Sequence, residues 1–77
     1  SRQERNSNMT FTELKKFDRS NRFTLLDNNK DFSLYRSEYY FRGDSEYTTY
    51  LVNNSTDDFV EVKNNRIRTI SGALKNV

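Results

Sequence analysis

Seventy-seven residues, 32% hydrophobic and 31% charged, allow one small domain with a thin core, because so short a chain buries only about 60% of the surface its unfolded state exposes. The lack of cysteine excludes disulfides and thiolate metal clusters, and the lack of histidine removes the commonest general base, so neither an enzyme nor a cofactor is expected. A formal charge of +2 is too small an excess to single out nucleic acid, and no apolar run reaches the ~18 residues a membrane span needs.

Ser1–Asn8 (SRQERNSN) contain no apolar side chain and are expected to be a disordered lead or a tag remnant before a native Met9. Residues 9–77 then form a single small binding domain. With no leader or spanning segment visible and no cysteine, a cytoplasmic location is expected. Thr10 and Glu13 have capping-box spacing, and Met9 with Leu14 has hydrophobic-staple spacing. Phe11, Leu14 and Phe17 recur every three residues, which predicts a helix with one apolar face that stops near Ser20-Asn21.

Asn28-Asn29, Asn53-Asn54 and Asn64-Asn65 punctuate the remainder, and asparagine tolerates the left-handed conformation that tight hairpin turns demand. Between and around them lie candidate strands at Arg22–Asp27, Asp31–Tyr35, Tyr39–Arg42, Tyr47–Val52, Phe59–Lys63 and Arg66–Ile70. The last two, joined by Asn64-Asn65, make the clearest hairpin. Ser71–Val77 reads as a short C-terminal turn of helix or a frayed end.

Asp31–Val52 (DFSLYRSEYYFRGDSEYTTYLV) holds all five tyrosines and reads as two strands about a turn at Gly43-Asp44. Phe32 and Leu34 have one parity while Tyr39 and Phe41 have the other, which predicts a bulge or break near Arg36–Glu38. Phe32, Leu34, Tyr39, Phe41, Leu51, Val60, Val62 and Ile67 then face the helix. A competing reading makes Ser37–Arg42 a short helix capped by Gly43. The expected architecture is α+β: an N-terminal helix packed on a small curved antiparallel sheet of four to five strands. Such a meander would fit an SH3-like or Sm-like barrel.

Tyr35, Arg36, Tyr40, Arg42, Tyr50, Arg66 and Arg68 are predicted to share the outward face. Aromatic rings there would stack on bases while arginines meet phosphates, which points to a nucleic-acid-binding module. The same residue types dominate protein–protein hot spots, so the alternative is an interaction module: an inhibitor, an adaptor or a self-assembling, homo-oligomeric subunit. Two local motifs add narrower expectations. Asp27–Glu38 resembles an EF-hand loop, with Asp27, Asn29 and Asp31 at positions one, three and five, Leu34 at eight and Glu38 at twelve, although Phe32 stands where the motif has glycine. That resemblance implies calcium binding as a minor alternative. Arg42-Gly43-Asp44 resembles the integrin-binding tripeptide of adhesion proteins, which implies adhesion from an exposed loop.

Overall fold

The computed structural model describes residues 9–18 and 22–76, so the expected lead at 1–8 and the helix stop at Ser20-Asn21 lie outside the described residues. The first helix, α1 (Phe11–Phe17), begins with the anticipated capping box: Glu13 N–H donates to Thr10 Oγ1 at 3.2 Å and Thr10 N–H donates to Glu13 Oε1 at 2.9 Å. A helix start leaves further N–H groups without intrahelical partners. Here Asp57, far along the chain, takes two of them: its carbonyl accepts from Phe11 N–H at 2.8 Å and its Oδ2 from Thr12 N–H at 2.9 Å. Asp57 sits in the left-handed region (φ 64°), which aspartate enters more readily than most residues.

Burial works to raise the Asp57 pKa. The hydrogen bonds from Thr12 and Thr10, with the charge of Lys15, outweigh it and hold the carboxyl below its ordinary value. A carboxylate so held stabilises the fold above its unfolded pKa of about 4, and that contribution is lost as pH falls through the depressed value. Asp57→Asn is therefore expected to melt at a lower temperature than the native chain near neutral pH. The gap should close as pH falls through the depressed folded value, and a pH-independent gap in melting temperature would refute the linkage.

Four strands follow: β1 (Arg22–Asn28), β2 (Phe32–Phe41), β3 (Asp44–Asn53) and β4 (Phe59–Val62). They form one antiparallel sheet in the order β1-β2-β3-β4, the expected meander. The sheet is open; no pairing joins β1 to β4 among the described residues. β2 is a single ten-residue strand paired to β3 without interruption from Phe32↔Asn53 to Phe41↔Asp44, so neither a break at Arg36–Glu38 nor a helix at Ser37–Arg42 exists. The irregularity lies in β1 instead, where the register shifts between Leu25 and Asp27. The parity change needs no bulge in β2, because Tyr39 and Phe41 are exposed and not part of the core.

On one face Phe11 of α1 sits among four rings, 4.8 Å from Tyr35, 5.6 Å from Phe23, 5.9 Å from Tyr50 and 6.0 Å from Phe59. On the other, a second short helix, α2 (Ile70–Leu74), closes a core of Leu34, Leu51, Val62, Ile70 and Ala73, with Leu26, Phe32 and Ile67 packed against it. The β1 irregularity brings Asp27 beside Leu34 in register, and Asp27 Oδ2 accepts the Ile70 N–H at 2.9 Å. One strand defect thus anchors the second helix, whose N-cap is Thr69.

The expected hairpin at Phe59–Ile70 is absent: Arg66–Ile70 is not a strand. Asn64 Oδ1 accepts the Arg66 N–H and the Asn64 carbonyl accepts the Ile67 N–H, so local bonds consume the donors a ladder would need. Asparagine works this way throughout. Among the described residues the non-glycine positive φ values belong to Arg42 and Asp57, and to no asparagine. Asn29 Oδ1 accepts from the N–H groups of Asp31 and Phe32, and Asn53 Oδ1 from those of Ser55 and Thr56. Asn54 then ties the two turns together, donating from Nδ2 to the Asn29 carbonyl and accepting the Ser33 hydroxyl at 2.7 Å.

Candidate functional site

The ladder between β2 and β3 outruns its neighbours. Among the described residues the last β1 partner is Arg22, opposite Glu38, and β4 reaches β3 only as far as Thr49. Beyond them the pairs Tyr39↔Glu46, Tyr40↔Ser45 and Phe41↔Asp44 form a two-stranded arm projecting roughly 10 Å at ordinary strand rise. Arg42 (φ 52°) and Gly43 (φ 86°) close it, and positive φ at both central residues is the type I′ hairpin turn. The turn thus lies one residue earlier than Gly43-Asp44, and Asp44 opens β3. Gly43 suits the second position because no Cβ penalty opposes its conformation.

Aromatic residues crowd this arm and stay wet: Tyr40 is 68% exposed, Phe41 53%, Tyr47 42% and Tyr39 38%. Strand alternation divides them between two faces. On the α2 side Tyr47 lies beside Glu38, whose Oε2 accepts the Ser45 hydroxyl at 3.0 Å, and the Arg36 guanidinium stands 5.0 Å from the Tyr47 ring centre. Tyr40 shares that side. On the α1 side the Tyr39 and Phe41 rings are near-parallel, 12° apart in plane and 6.1 Å between centres. With Asp44 and Glu46 they line a shallow cleft. The Arg42 guanidinium lies 5.1 Å from the Phe41 ring centre, so the arm's own chain already shows a cation on one of these rings.

The seven residues expected on one outward face do not share one. Tyr35 and Tyr50 are register partners on the α1 side, half-buried beneath Phe11. Burial, then the charges of Glu61 and Asp18, push the Tyr50 pKa up against a lowering hydrogen bond with Thr48, keeping the phenol neutral. Arg36 and Tyr40 lie on the opposite face, and Arg42 is in the turn. Arg66 and Arg68 are exposed on the irregular segment after β4. The cause is the uninterrupted alternation of β2, which separates Tyr35 from Arg36 and Tyr40, together with the loss of the sixth strand. For the same reason Tyr39 and Phe41 leave the core and join the arm. Their odd parity relative to Leu34, read together with apolar helical segments at both chain ends, is the signal that would have found them.

The EF-hand-like stretch does not form a loop. Ser33–Glu38 are strand, the Asp27 carboxylate is engaged by Ile70 and Asn28, and Asn29 closes its own turn. No group of three or more acidic side chains placed to hold a metal ion occurs among the described residues. The Arg-Gly-Asp tripeptide spans the arm's turn and is exposed. No described helix is long and apolar enough to cross a membrane.

No protein-family model, curated protein or solved structure matches the chain.

Proposed function

We propose that the protein is a non-enzymatic binding module that engages a protein partner through the Tyr39–Glu46 arm. The carrying observation is three large aromatic side chains, Tyr39, Tyr40 and Phe41, held exposed where the sheet narrows to two strands among the described residues, with Tyr47 exposed at its base. A two-stranded ribbon is marginal by itself, so these rings contribute little to folding and much to any interface that covers them. Tyrosine anchors at projecting positions are what protein hot spots favour, and the strand edges of the arm, unpaired among the described residues, offer main-chain donors and acceptors to an added strand. Inhibitor, adaptor and self-assembling roles all fit this reading. The chain's lack of histidine and cysteine supports a role without catalysis.

Selecting peptides from a random displayed library tests the reading. Enriched peptides are expected to bind the native chain and to lose at least about tenfold on Tyr40→Ser with Phe41→Ser, two exposed positions whose change leaves the core alone. Enrichment of peptides indifferent to both substitutions would refute the arm as the docking element.

A second reading, single-stranded nucleic acid on the α2 side of the arm, is favoured by Arg36 over the Tyr47 ring with Tyr40 on the same side. Glu38, Asp44 and Glu46 oppose it by setting three carboxylates on the same arm as Arg36 and Arg42. Fluorescence anisotropy with labelled oligonucleotides separates the two: affinity that falls linearly in log salt favours nucleic acid, and no binding at low salt discards it.

A further inference from the structure

We propose that the α1 side of the arm is a receptor for an arginine side chain presented by the protein partner. The proposal rests on the arm being the docking element and adds the chemistry of what it takes. Tyr39 and Phe41 expose near-parallel rings, and the faces of aromatic rings attract cations. Directly across the ladder stand Glu46, opposite Tyr39, and Asp44, opposite Phe41, so each ring is paired with a carboxylate on the same side. These four side chains line one cleft.

Rings alone would take any apolar or planar group, and carboxylates alone would be a solvated acidic edge. Together they complement a group that is at once flat, cationic and rich in N–H donors. Guanidinium is that group: it stacks on a ring while its fork donates to a carboxylate, whereas the strongly hydrated ammonium of lysine does only part of this. Arg42 shows the first half of the arrangement within the chain, its guanidinium resting over Phe41. Among the described residues that line the cleft, Asp44 and Glu46 bring two carboxylates and no cation.

The α2 side of the arm lacks this complementarity. There the Glu38 carboxylate is engaged by the Ser45 and Tyr47 hydroxyls, whereas Asp44 and Glu46 line the cleft beside the rings. The site is thus confined to one side of the ribbon, and its partner must approach from the side that carries α1.

The experiment titrates the ¹⁵N-labelled full chain with a hexa-arginine peptide, and separately with hexa-lysine and hexa-glutamate, following amide shifts at low and physiological salt. Hexa-arginine is expected to move the amides of Tyr39, Phe41, Asp44 and Glu46 first, to bind more tightly than hexa-lysine, and to weaken with salt. Asp44→Asn with Glu46→Gln should weaken it about tenfold, the scale of two exposed charge pairs. Tyr39→Leu with Phe41→Leu keeps apolar bulk without rings and should erase the preference for arginine over lysine. Shifts centred on other carboxylates, equal binding by the charge-neutral variant, or no shift at low salt would each overturn the proposal. Library peptides without arginine that still require Tyr40 and Phe41 would refute the arginine receptor while leaving the arm as the docking element. Peptides indifferent to those rings would refute both.

Discussion

Leu34→Ala is expected to leave the domain largely unfolded at 25 °C. Leu34 is 0% exposed, is paired with β1 and β3 (opposite Leu51) near the start of β2, and packs in one core with Ile70 and Ala73 of α2. Truncating such a leucine costs about 2–5 kcal/mol through lost transfer energy and the cavity left behind. A core of this size rarely supplies more than about 3–5 kcal/mol in total, so the deletion removes most or all of the margin. The site cannot collapse easily, since the strand ladders on both sides hold its walls apart. Leu25→Ala is the matched comparison: the same chemistry at a position 49% exposed, one residue before the β1 irregularity, with an expected cost under about 1 kcal/mol. Urea or thermal unfolding followed by circular dichroism decides between them. A Leu34→Ala variant that melts within about 5 °C of the native chain would show that the α2-side core carries little of the stability.

Phe11→Ala is expected to release α1 from the sheet. The ring is 2% exposed and is the hub of the second core, meeting Phe23, Tyr35, Tyr50 and Phe59, with the Lys15 ammonium 5.3 Å from its centre. Removing a buried phenylalanine costs about 3–5 kcal/mol. Of the other apolar residues on the helix, Leu14 is only half-buried and Phe17 is 75% exposed, so one side chain holds the element down. A seven-residue helix has no stability of its own in water, and its cap bonds to Thr10 and Asp57 persist only while the helix is docked. Amide exchange gives the direct reading. Leu14 and Asp18, whose N–H groups donate to the Thr10 and Leu14 carbonyls, should lose their protection. The β2–β3 ladder around Leu34 and Leu51 should open only as far as the global loss of stability dictates. If the amides of α1 remain as protected as in the native chain, the helix is held by its cap and loop bonds rather than by the aromatic hub.

The two cores also explain which features were legible in the residues alone. Capping boxes, hairpin turns and strand periodicity are local: Thr10 and Glu13 reach each other within one turn, and Arg42-Gly43 closes its hairpin between immediate neighbours. The first helix and the antiparallel meander therefore follow from the order of side chains, whereas the C-terminal segment reads there as a turn of helix or a frayed end. The faces do not follow from that order. Tyr39 and Phe41 look like core residues when only one helix is supposed to cover the sheet, because an apolar side chain then has a single place to go. They become exposed once Phe11 packs on one side, Ile70 on the other, and, among the described residues, β1 and β4 stop short of the arm. Likewise Phe59–Ile70 carries a hairpin's spacing, yet the Asp27 carboxylate, brought round by a shift in β1, captures the Ile70 N–H and turns the chain into a helix. Local hydrogen bonding, acting within a few residues, is written in the sequence. Which face is covered and where a strand loses its neighbour depend on contacts between segments far apart in the chain. Those contacts alone turned a run of tyrosines from a supposed core and sheet surface into a projecting arm.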